Sequence, residues 1–156
     1  MSAPLKIPLR DAHDAGRASQ SARRLAEALG FNACDQALIA TAVSELCVNV
    51  NRYAERGSVA MGPLERAGRR GFEATVRDRG AGIACIDDAM REGHSSGDSL
   101  GMGLPGVKRM MDEFTLRSEP GVGTVAVIRK FLPPRKPTPP GTRTPGTRPP
   151  GTRKGC

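Results

Sequence analysis

The stretch TAVSELCVNVNRYA, residues 41–54, carries two patterns at once. Leu38, Ile39, Ala42, Val43, Leu46, Val50 and Tyr53 recur at helical spacing, which predicts a helix from about Ala33 to Ala54 with these side chains in the core. Glu45 and Asn49 lie four residues apart, one turn above the other on a single face outside that apolar stripe. A carboxylate above a carboxamide places a base beside a magnesium ligand, since magnesium takes oxygen donors and keeps several waters. Taken alone, ExxxN is common, and a solvated glutamate with an asparagine tolerated on a helix surface is the simpler reading.

Downstream, DRGAG (78–82) closes an expected strand. Its glycines let backbone and ligand approach closely, and Asp78 is placed to accept a hydrogen bond from an exocyclic amine; an ordinary Asp-Gly turn is the simpler alternative. SLGMGLPGVK (99–108) is a glycine-rich segment running into a helix start, where free N–H groups and the positive helix end suit phosphate. Gly101, Gly103 and Gly106 spell GxGxxG, but HSSGDS before them is no buried strand and no parallel βαβ unit opens here, so a dinucleotide fingerprint is rejected. A Walker loop lacks its GxxxxGK[ST], and a protein-kinase glycine loop lacks its VAIK and HRD partners. GVGT (121–124) reads by itself as a hairpin turn.

The rest of the chain frames these motifs. LKIPL (5–9) is an edge strand, because Pro8 is tolerated only at an edge. Asp11 caps a helix that runs to about Leu29 and stops at Gly30. Ser58–Glu65 and Gly71–Asp78 form strands joined by the basic turn RAGRR. A short helix follows at about Ile86–Arg91, then a polar loop from Gly93 to Gly103, then a helix opening at Pro105 and ending near Asp112. Strands Phe114–Ser118 and Thr124–Phe131 close the domain. The sum is a two-layer α/β sandwich: a mixed, mostly antiparallel sheet with helices on one face.

In that order and spacing the four motifs resemble the GHKL superfamily, the ATP-binding fold of DNA gyrase, sensor histidine kinases and anti-sigma-factor kinases. GLPGVKRMMDEF (103–114), TAVSELCVNVNRYA and REGHSSGDSLGMG (91–103) are similar to the small serine kinases of the bacterial stressosome, the RsbT-type switch kinases. The likeness runs from about residue 5 to 132. There is no dimerisation helix pair with a phosphoacceptor histidine; His13 and His94 lie outside any such pair, and His94 reads as a solvated loop residue.

The resemblance implies an ATP-dependent protein serine kinase. It implies Glu45 as general base, Asn49 as Mg2+ ligand and Arg52 near the phosphates. Asp78 would read the adenine amino group, with Gly80, Gly82 and Ile83 along the pocket. Gly101, Gly103 and Leu104 would wrap the phosphates, and Thr124 would close the adenine side. It further implies a STAS-domain antagonist protein as substrate and a PP2C-type phosphatase activated by the released kinase. The alternative is an anti-sigma factor that binds a sigma factor directly. Cys47 stands where a smaller residue is expected.

Composition is consistent with this reading. The chain has 156 residues, 38% apolar and 3% aromatic, with no Trp. Its formal charge is +8, but residues 133–156 hold six of the 24 basic residues and no acid, leaving 18 basic against 16 acidic in the body. A nucleic-acid-binding fold carries its charge on a folded face, so nucleic acid is not an expected partner of the body. The domain is expected over residues 1–132. PPRKPTPPGTRTPGTRPPGTRKGC (133–156), with PGTR at Pro140, Pro145 and Pro150, is expected to be a disordered or polyproline-like tail. No stretch approaches the ~18 apolar residues of a membrane span. MSAPLKIPLRDAHD has no apolar run behind a basic start, so no secretory signal is expected and the cytoplasm is the expected location. Cys34, Cys47, Cys85 and Cys156 form no CxxC and no zinc spacing; reduced thiols are expected, with Cys47 in the core.

Overall fold

A computed structural model describes residues 3–54, 56–91 and 103–137. The expected glycine-rich loop from residue 93, with His94 and Gly101, lies outside the described residues, as do 138–156 of the expected tail. Pro133–Pro137 are exposed and form no helix or strand.

Strand β1 (Leu5–Leu9) leads into helix α1 (Ala12–Leu29). The Asp11 carboxylate caps α1 by accepting a hydrogen bond from the backbone N–H of Asp14 at 3.0 Å. Gly30, at φ 97°, ends it in the left-handed conformation that glycine adopts without a Cβ penalty. Asn32 caps α2 (Ala33–Tyr53) in the same way, accepting from Asp35 N at 2.8 Å. Strands β2 (Gly57–Arg66) and β3 (Arg69–Asp78) then form a hairpin. Its two-residue turn, Ala67 and Gly68, has φ of 51° and 75°. Positive φ at both positions matches the right-handed twist of the flanking strands. The short α3 (Ile86–Ala89), α4 (Gly103–Met110), β4 (Glu113–Glu119) and β5 (Gly123–Phe131) complete the described elements.

The strands form one antiparallel sheet in the order β1-β2-β3-β5-β4, so β1 is an edge strand, as Pro8 requires. On β3, Phe72, Ala74 and Val76 are buried while Glu73, Thr75 and Arg77 point to the other face. Ile7, Leu9, Val59, Met61, Ala126 and Ile128 join the buried face. Helices α1 and α2 pack over it. Ala15, Ala18, Ala22 and Ala26 along α1 are small enough to admit α2 closely.

Three expectations change. Helix α4 begins at Gly103, two residues before Pro105, which still falls in the first turn where its missing N–H costs nothing. Tyr53, expected in the core, is 63% exposed in the last turn of α2. Glu45, expected outside the apolar stripe, is only 5% exposed. Helix α2 is covered by α1, by the sheet and by α4, so its buried surface is wider than one stripe.

Candidate functional site

A cleft of about 560 Å³ opens between the C-terminal half of α2, the ends of β3, β4 and β5, and the start of α4. Its walls are largely apolar: Leu46, Val50, Val76, Ile83, Leu104, Leu116 and Ala126. Asn49, Arg52, Asp78 and Thr124 bring polar groups to it. Apolar walls with a few placed polar groups suit a flat heteroaromatic ligand.

The register of three strands builds the polar end. Asp78 on β3 stands opposite Thr124 on β5, and Thr124 stands opposite Ser118 on β4. Asp78 Oδ1 accepts from the backbone N–H of Gly80 at 2.9 Å and of Thr124 at 3.2 Å. Both bonds fall on one oxygen, which leaves Oδ2 as an acceptor for a ligand amine. Ser118 Oγ accepts from Ile83 N at 2.6 Å, donates toward Gly123 O at 3.3 Å and shares a hydrogen bond with Thr124 Oγ1 at 2.9 Å. A hydroxyl pair of this kind fixes how Thr124 presents its own hydrogen or lone pair.

The glycines of the two motifs have a use beyond ligand access. A Cβ on Gly82 would lie 2.5 Å from Glu119 O, and one on Gly123 would lie 2.1 Å from Asp78 O. Gly82 and Gly123 also have φ of 77° and 143°. Gly121 N donates to Ala81 O at 2.9 Å, which ties the two loops together. DRGAG and GVGT therefore dock on each other backbone to backbone, and glycine is the residue that permits it.

Gly82, Ile83, Gly103 and Leu104 line the cleft with Asn49, Arg52, Asp78 and Thr124. Gly80 does not: it faces a smaller depression beside Arg52, Tyr53 and Ala54, and a Cβ there would meet Ala54 Cβ at 2.8 Å. Glu45 is not among the lining residues; it sits one helical turn before Asn49, buried. Gly101 is outside the described residues.

Ser118 and Tyr53 are the residues that sequence reasoning missed. Counting back across EPGVGT would have paired Ser118 with Thr124, a usable signal. Nothing in the spacing of Tyr53 told its cleft position from a core one.

Among the described residues no cluster of three His, Cys, Asp or Glu side chains forms a metal cage. The donor set instead offers the Asn49 amide oxygen on an open wall. That fits a magnesium ion held mostly by nucleotide phosphates and water.

The family described as the histidine kinase-like ATPase domain matches residues 7–130. The serine/threonine-protein kinase RsbT of Bacillus subtilis (strain 168) is 44% identical over 115 residues, covering 74% of this chain and 86% of that protein. An anti-sigma F factor of Halalkalibacterium halodurans is 36% identical over 64 residues, covering 39% of this chain and 44% of that protein. The solved histidine kinase domain of the E. coli osmosensor EnvZ aligns over 92% of this chain and 98% of its own length, at 18% identity and a TM-score of 0.44.

Proposed function

The chain belongs to the histidine kinase-like ATPase family, and from that premise we propose that it is an ATP-dependent protein serine/threonine kinase of a partner-switching regulatory pathway. The observation that carries the nucleotide site is the Asp78 carboxylate, held through one oxygen by two backbone N–H groups inside an apolar cleft with Asn49 on its wall. The identity to the RsbT kinase supports the acceptor being a protein hydroxyl.

In this reading Asp78 accepts from the adenine amino group and Thr124 closes the same edge of the base. Ile83, Gly82 and Leu104 sit against the purine, and Gly101 and Gly103 lie along the phosphates. Asn49 holds Mg2+, which neutralises phosphate charge when bound, and Arg52 adds a cation near the phosphates. Glu45 takes the proton from the serine hydroxyl. Phosphoryl transfer asks mainly for positioning and charge neutralisation, which this set provides.

The proposed substrate is a STAS-domain antagonist protein. The released kinase then activates a PP2C-type phosphatase. The kinase unit is residues 1–132, and 133–156 is an appended tail, with the cytoplasm as the place of action. No helix among the described residues is long and apolar enough to cross a membrane.

The test is transfer of labelled γ-phosphate from Mg-ATP to a STAS-domain protein of the same genome, with Asn49→Ala beside the wild type. Serine labelling by the wild type alone supports the reading. ATP binding without transfer to any STAS protein overturns the substrate assignment. A second reading, an anti-sigma factor that also phosphorylates its antagonist, draws on the likeness to the anti-sigma F factor. Retention of a sigma factor on the immobilised chain would favour it.

A further inference from the structure

On the sheet face away from the helices, the charges of the described residues are paired at one end and unpaired at the other. At one end Glu73, Arg129 and Glu113 stand in register across β3, β5 and β4. Arg129 bonds to Glu73 at 2.6 Å and to Glu113 at 3.1 Å, and Arg66 also pairs with Glu113. At the other end the register row is Ser58, Arg77, Val125 and Arg117. Four residues along β3 separate the two rows, or roughly 13 Å of strand.

Arg77 and Arg117 line a groove of about 710 Å³ together with Arg56 and Arg79 from the neighbouring loops. All four side chains are exposed. Among the described residues none of the four guanidinium groups is in an ion pair, whereas Arg17, Arg66, Arg91 and Arg129 all are. Asp78, which also borders the groove, directs its carboxylate to Gly80 N and Thr124 N. Among the described residues Glu119 is the one other acid along it. Val125 lies between Arg77 and Arg117, and Val122, 60% exposed, also lines the groove.

From this arrangement we infer that the groove is a docking surface for a carboxylate-rich segment of a partner protein. Unpaired guanidinium groups present forked donors that match carboxylates. The two valines of the groove ask for aliphatic side chains, which a peptide has and a phosphate backbone lacks. Among the described residues no aromatic side chain lines the groove, so they offer no platform on which a nucleic-acid base would stack. The Glu73, Arg129, Glu113 and Arg66 cluster on the same face is neutral overall, so it continues no cationic track for an extended polyanion. The chain's own C-terminal stretch is excluded as occupant, because residues 133–156 carry six basic residues and no acid. A symmetric contact with a second copy would set arginine against arginine. This docking role is separate from the kinase reading and does not rest on it.

The test is fluorescence anisotropy of a short labelled peptide of Glu and Asp interspersed with Leu, titrated with the full chain at low salt. Arg77→Glu with Arg117→Glu is expected to weaken binding about ten-fold or more, since like charges across an interface cost several kcal/mol. Arg56→Glu with Arg79→Glu, outside the strands, is expected to do the same and covers a folding failure of the first pair. Arg23→Glu with Arg24→Glu, exposed on α1, is expected to leave binding within about two-fold of wild type, because distant exposed charges are screened. A variant with the six basic residues of 133–156 changed to Gln should also keep binding. Loss of binding in that variant, with retention in both groove pairs, overturns the proposal. Groove-dependent binding of a single-stranded oligonucleotide more tightly than the peptide overturns it in favour of nucleic acid. A fluorescent ATP analogue, bound equally by wild type and groove variants, keeps this outcome distinct from failure of the kinase reading.

Discussion

Ser118 Oγ lies 2.9 Å from Thr124 Oγ1, directly across the β4–β5 pair, and the same oxygen accepts the N–H of Ile83. One side chain thus links the closing hairpin to the DRGAG loop and orients the hydroxyl at the proposed base-reading edge. Ser118→Ala leaves Ile83 N–H and Thr124 Oγ1 each short of a partner. Stability should fall by about 1–2 kcal/mol, the cost of unpairing partly buried polar groups. ATP affinity should fall several-fold and discrimination of ATP over GTP should narrow, with Ser118→Thr restoring both in part. Unchanged discrimination, read by competition titration, would leave Ser118 a structural residue only.

Glu45 is buried one turn before Asn49, so a nearly isosteric change tests its chemistry with little disturbance of packing. Glu45→Gln should bind ATP within about two-fold of wild type while transfer falls roughly 10²–10⁴-fold, the usual contribution of a general base. Undiminished transfer would remove Glu45 from the mechanism.

Two glycines should respond in opposite directions to the same substitution. Gly123→Ala places a Cβ 2.1 Å from Asp78 O at φ 143°, so it should lose roughly 2–5 kcal/mol or fail to fold. Gly16 lies in α1 with nothing within 4 Å of an added Cβ, and Gly16→Ala should gain about 0.5–1 kcal/mol from helix propensity. Urea unfolding midpoints read both. A tolerated Gly123→Ala would mean that the two loops do not dock as described.

The hydrogen bond from Arg66, followed by that from Arg129, holds the Glu113 carboxyl below its ordinary value of 4.5. Folding therefore favours the ionised form. The stabilisation is fully present above about pH 4.5 and is lost as pH falls through the lower folded-state value. Glu113→Gln should be less stable than wild type at pH 7, and the gap should close on acidification. A gap that stays constant from pH 7 to pH 3 would assign the loss to packing instead.

Burial pushes the Cys47 thiol up to about 12, so it remains protonated at neutral pH. Cys34 and Cys85 are exposed and free. Alkylation followed by mass spectrometry should label Cys34 and Cys85 quickly and Cys47 only on unfolding, since the thiolate is the reactive form. Equal rates at Cys34 and Cys47 would contradict the packing of α2.

Much of the fold was legible because its determinants are local. Asp11 caps onto Asp14 and Asn32 onto Asp35, each three residues on, and Gly30 stops a helix by its own φ. The alternation in β3 and the turn at Ala67–Gly68 set a hairpin from adjacent residues. The motif order was likewise present in the chain, and it led to the family.

What tertiary structure alone decided was which side chains meet. Asp78 finds Thr124 N across 46 residues and Ser118 finds Ile83 N across 35, contacts that depend on strand register and not on any local pattern. The same applies to Glu45, buried because three elements cover α2, and to Tyr53, exposed beside the cleft instead of packed in the core. The unpaired arginine row is also a product of register, since Arg77 and Arg117 become neighbours only when Val125 lies between them. Periodicity assigns a residue to a face of its own element; only the packing of elements says what that face meets.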